Sequence, residues 1–81
     1  MKATITINGT EREVMLTILP SGYGHNKITA NWFDGNERIT HSVVTNATQL
    51  TDAMRSEDDE RSEEACEQAA EMVTDNYYES K

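Results

Sequence analysis

The residues that chemistry would need are few in this chain, and they are dispersed. Cys66 is its one cysteine. A cysteine nucleophile needs a base or a cation beside it to hold the thiolate, whereas the neighbours of Cys66 in sequence are Glu63, Glu64 and Glu67, whose charge opposes that form. Cys66 therefore reads as a small apolar packing residue, and a lone cysteine, which allows no internal disulfide, fits a reducing compartment. His25 and His41 are the two imidazoles, and neither has a second His or Cys at the close spacing of a zinc site. The acidic run Asp58-Asp59-Glu60 lacks the ligand spacing and central glycine of a calcium loop. Trp32, Phe33 and Tyr23 are the aromatic residues a stacking platform for nucleic-acid bases would use, but the strands offer only Lys2, Arg12, Lys27 and Arg38, balanced by four acids, so no basic face accompanies the rings. Asn8-Gly9-Thr10 and Asn46-Ala47-Thr48 have the form of glycosylation acceptors, and without a secretory signal they read as a turn and a helix cap. No nucleophile with its base, phosphate-binding loop, metal motif or cofactor site emerges. In 81 residues there is little room for a substrate cleft, so the expectation is a protein that is not an enzyme.

What the chain does concentrate is negative charge. Fifteen acids oppose seven bases, for a net charge of -8. Residues 1–45 contribute nothing to it, since four bases and four acids cancel there, and residues 46–81 carry eleven acids against Arg55, Arg61 and Lys81. Within that segment Glu60, Glu63, Glu64, Glu67, Glu71 and Asp75 recur three and four residues apart, which places them on one side of a helix. Like charges at that spacing cost about 0.2 to 0.5 kcal/mol per pair. Against a total stability of about 5 to 15 kcal/mol, the row is a standing cost that the fold tolerates.

The elements that must position this row are legible from periodicity. Ala3, Ile5 and Ile7 alternate with threonines, Asn8-Gly9 follows as a hairpin turn, and Val14, Leu16 and Ile18 alternate in a second strand. Pro20 and the segment Ser21 to Asn26 read as a loop. A third strand covers about 27–33, with Ile28, Ala30 and Trp32 on one face. Asp34-Gly35 signals a second hairpin, whose two- or four-residue loop brings Ile39 and Val43 onto that same face. Asn46 to Gln49 resembles a capping box ahead of Leu50, Ala53 and Met54, and Ser56 before four acids reads as the cap of a second helix. In that helix Ala65, Cys66, Ala69, Ala70, Met72, Val73 and Tyr77 make one apolar face ending near Tyr78. The fold class is therefore α+β. A four-stranded antiparallel meander sheet spans residues 1–45, with one face covered by a short helix and a longer C-terminal helix within the acidic segment 46–79, in a single domain 1–81. The expected core is Ile5, Ile7, Val14, Leu16, Ile18, Ile28, Ala30, Trp32, Ile39, Val43, Leu50, Met54, Ala65, Ala69, Met72 and Val73.

In size, in the order of strand meander and C-terminal helix, and in the acidic segment from Ser56 to Glu79, the chain resembles small inhibitors made by phages and other mobile elements, in particular some anti-CRISPR proteins. That resemblance implies a non-enzymatic protein that binds a nuclease or surveillance complex and blocks its access to nucleic acid. The charge row itself implies a basic, nucleic-acid-binding partner met through Glu60, Glu63, Glu64, Glu67, Glu71 and Asp75, and no direct contact with nucleic acid or membrane. No stretch has the length of a membrane span and Met1 to Ile7 lacks a signal-peptide core, so a cytoplasmic location is expected. Two alternatives stay open. One is a binder that uses the exposed sheet face, with Thr4, Thr6, Glu11, Thr17, Thr29, Asn31, Arg38 and Thr40, the acidic helix serving only solubility. The other is a small assembly module that forms a homodimer through an edge strand or through the helix end at Tyr77 and Tyr78.

Overall fold

Alternation of inward and outward side chains gives each strand one face to bury, and the four strands bury the same one. The computed structural model describes residues 1–80. Lys2–Ile7 (β1), Thr10–Gly22 (β2), His25–Asp34 (β3) and Glu37–Thr45 (β4) form an antiparallel meander in the order β1-β2-β3-β4. Thr48–Met54 (α1) and Asp59–Glu79 (α2) follow and cover one face of the sheet.

Local turn chemistry sets the registers. Asn8 and Gly9 have φ of 51° and 82°, the left-handed pair that a type I′ turn requires. Ile5 consequently faces Arg12, and Ala3 faces Val14. At the second hairpin the two-residue loop is Gly35-Asn36, one residue beyond the Asp34-Gly35 signal, because Asp34 pairs with Glu37. This moves the register by two residues and so preserves the parity, placing Ile39 opposite Trp32 and Val43 opposite Ile28.

The segment after Pro20 departs from the expected loop. β2 continues through Pro20 to Gly22, pairing Pro20 with Asn26 across an irregularity, and only Tyr23-Gly24 turns. The reason lies in the reach of β1. The Leu16 amide donates to Met1 O at 2.8 Å, so the amides of even-numbered β2 residues point toward β1, and β1 ends at that level. Pro20 lacks its N–H on a side where no strand is there to receive it.

Both helix starts also differ from the expected caps. α1 begins after Ala47, which makes no side-chain cap, while the Ala47 amide donates to Thr45 Oγ1 at 3.0 Å. The capping box expected of Asn46 and Gln49 is therefore not made. For α2 the cap is Asp58, whose carboxylate accepts from the amides of Glu60 and Arg61, and Ser56 instead accepts from the Asp58 amide at 3.1 Å. An ionised carboxylate at the positive end of a helix outcompetes a neutral hydroxyl two residues earlier.

The core is one cluster joining sheet and helices. Ala3, Cys66 and Ala70 join the expected buried residues, while Val43, Leu50 and Met72 are only half-buried at its margin. The face that α2 lays on the sheet is made of Ala65, Cys66, Ala69, Ala70 and Val73, so the helix backbone can approach closely. Larger side chains lock its C-terminal end. Trp32, 1% exposed, meets Tyr77 edge-on at 5.5 Å between centroids and donates from Nε1 to Tyr78 Oη at 3.3 Å. Tyr77 and Tyr78 are thus packed on the sheet, not presented as an exposed helix end. Two buried threonines have their hydroxyls satisfied. Thr74 donates to Ala70 O at 2.9 Å, and Thr51 donates to Thr48 O and accepts from Asn26.

Urea denaturation should show Trp32→Ala losing about 3 to 5 kcal/mol, from burial and from the cavity left under α2. Asp58→Ala should lose about 1 kcal/mol, since two amides lose their acceptor.

Candidate binding interface

α2 turns about 100° per residue, so its acids gather on one side, with the buried Thr74 falling in phase between Glu63 and Glu67. Glu60, Glu63, Glu64, Glu67, Glu71 and Asp75 fall within an arc of about 120°. All are exposed except Glu67, which is half-buried. The structure therefore brings the six expected residues together on a single ridge.

The ridge does not sit squarely opposite the sheet, as a simple two-faced helix would place it. It leans over β1. Glu63 and Glu67 line a groove of about 260 Å³ with Lys2, Ala3 and Thr4 of that strand. The other flank of the helix faces β4, where His41 Nε2 bonds to Asn76 Oδ1 at 2.7 Å. Lys2 and Thr4, marked in the sequence only as a strand base and a sheet-face residue, are brought beside the acidic row here. The helical phase of Glu63 and Glu67, next to the buried Ala70 and Thr74, is the signal that one end of the acidic arc must touch the sheet. Which edge it touches depends on how the helix lies across the strands.

The ridge forms no ion pair among the described residues. From Glu60 to Asp75 it runs about 22 Å at 1.5 Å per residue, one carboxylate every 4.5 Å or so along the axis. Neighbouring charges lie well inside a Debye length of about 8 Å at physiological salt, so they act together. Among the described residues the ion pairs are Lys2 with Glu13 at 3.9 Å and Arg12 with Asp34 at 3.7 Å, and neither involves the ridge. Lys81 lies outside the described residues.

The remaining candidates are placed apart. Cys66 is buried in the helix–sheet seam. His25 is exposed at the start of β3, and His41 is held between Asn76 and the ring of Tyr77, 5.4 Å away. Trp32 faces the core, Phe33 the opposite side of the sheet, and Tyr23 the tip of the β2–β3 turn, so the three rings form no common platform. Among the described residues no group of three His, Cys, Asp or Glu side chains is arranged to hold a metal ion, and no helix is long and apolar enough to cross a membrane.

Glu71 has like-charged neighbours four residues away on both sides, Glu67 and Asp75. Glu71→Gln should therefore raise stability by about 0.4 to 1 kcal/mol in low salt. The gain should shrink toward zero as added salt screens the row, which paired urea titrations at two ionic strengths would measure.

No protein-family model, no curated protein and no solved structure matches the chain.

Proposed function

We propose that this protein is a non-enzymatic inhibitor of the anti-CRISPR kind, which occupies a basic groove where its partner ordinarily holds nucleic acid. The observation that carries the reading is the ridge of six carboxylates on α2, free of ion pairs among the described residues and aligned over about 22 Å. One strand of a nucleic-acid duplex offers a charge about every 3.4 Å along its axis. A carboxylate every 4.5 Å or so has the same sign and a comparable pitch, on a rod of similar straightness. A groove lined with Lys and Arg would gain attraction from such a ridge, and the ridge would lose its internal repulsion on meeting it. The position of the ridge over β1 leaves room for a partner to reach past the helix to Lys2 and Thr4.

Because Glu67 is half-buried against β1, the cleanest reversals are at the fully exposed Glu64 and Glu71. The unmodified protein and the Glu64→Lys/Glu71→Lys variant, immobilised separately, are exposed to extract of the source cell. The expected captured set consists of nucleic-acid-binding proteins, retained by the unmodified protein, released by salt and displaced by added duplex. The variant should lose at least about tenfold in affinity for them, since a buried or semi-buried charge pair at an interface is worth 1.5 kcal/mol or more. Equal capture by both forms would leave the ridge as a solubility device and end this reading.

A further inference from the structure

The side of the sheet that faces away from the helices carries apolar residues that a purely solvated face does not need. Met15, Leu19, Phe33 and Val44 are 48%, 51%, 58% and 53% exposed, and strand alternation puts all four on this side. Leu19 and Val44 flank Lys27 in one row, while Phe33 stands diagonal to Met15 toward the other end. The two apolar spots lie on either side of a central band of Thr17, Thr29 and Ser42. Two pairs of polar groups in and beside that band already bond to one another. The hydroxyls of Thr29 and Ser42 are 2.8 Å apart, and Thr40 donates to Asn31 at 2.7 Å. Covering them would leave both pairs intact, which lowers the penalty for burying that part of the strip.

Charge selects the occupant. This face carries Lys2, Lys27 and Arg38 against Glu11 and Glu13, nearly in balance, on a chain of net charge -8. Two copies would repel one another most through their helical sides and least across this face. We propose that the open sheet face is a self-association surface, on which two copies stack sheet to sheet with their acidic helices on the two outer sides. A two-fold axis across the strands at the level of Thr17, Thr29 and Ser42 sets Leu19 of each copy over Met15 of the other, so unlike ends of the face mate. Four strands about 4.8 Å apart and about eight residues long cover roughly 500 Å² per copy. The total of about 1,000 Å² is the lower limit for a specific interface, so the association is weak. It also strengthens with salt, because screening reduces the repulsion between the two acidic chains. That sign is opposite to the one expected for the α2 ridge on a basic partner, so each idea can fail without the other.

The test is sedimentation equilibrium of the full chain from micromolar to millimolar concentration, at low salt and at about 0.5 M salt. The expected result is a monomer–dimer equilibrium with a Kd that falls as salt rises. Phe33→Glu and, separately, Leu19→Glu should raise that Kd at least about tenfold with unchanged thermal melting. An amide NMR dilution series of the unmodified protein supplies a reading without substitution, with shifts expected at Met15, Thr17, Leu19, Phe33 and Val44. A monomer at every concentration in high salt would overturn the proposal, as would a dimer that ignores both substitutions or whose dilution shifts fall on α2.

Discussion

The close seating of α2 on the sheet is the contact on which the rest of the molecule depends. It works because the seam side of the helix is Ala65, Cys66, Ala69, Ala70 and Val73, side chains short enough to let a helix backbone lie near the pleat. Large residues are kept to the ends of the seam. Met54 closes it at the α1 side, and Trp32 with Tyr77 and Tyr78 closes it at the C-terminal side. A chain of 81 residues has apolar material for one such layer and no more. One face of the sheet is therefore left uncovered by the chain's own helices.

This allocation explains the distribution of charge. A helix whose buried side is built from alanine gains little per residue from burial, so it benefits from every local contribution. The Asp58 cap and the acids of its first turn supply some of that, since they lie where the helix dipole is positive. Farther along, from Glu67 to Asp75, the dipole no longer favours the acids and their mutual repulsion has no local compensation. Solubility alone would be served as well by acids scattered over the sheet, where cations stand ready to pair with them, as Lys2 does with Glu13. Their confinement to one helix flank is what makes them an interface candidate.

Most of the fold was legible because strand parity and helical phase are properties of spacing. The two loop lengths left open at Asp34-Gly35 differ in every cross-strand partner of β4 and in no face assignment, so the core was readable before the register was fixed. The errors fell where two local signals competed or where tertiary context decided. Ser56 and Asp58 are both competent caps, and charge chose between them. Pro20 normally ends a strand, and it is accommodated here because β1 pairs with β2 only as far as Met15, which leaves no acceptor strand beside Pro20. For the ridge, sequence supplied the six carboxylates and their common helix. The lean toward β1, which half-buries Glu67 and brings in Lys2 and Thr4, follows from how α2 lies across the strands, and no local pattern encodes that.

The placement of Trp32 has an optical consequence. It is the only tryptophan of the chain, and its indole sits within about 6.3 Å of both tyrosines of α2, one of which accepts its N–H. Emission from this single ring reports whether the end of α2 is seated, while circular dichroism near the strand band reports the sheet. The molecule thus carries its own two-colour readout. Detachment of the helix can be separated from melting of the strands without any label, and a partner that grips the ridge can be told apart from one that pries the helix away.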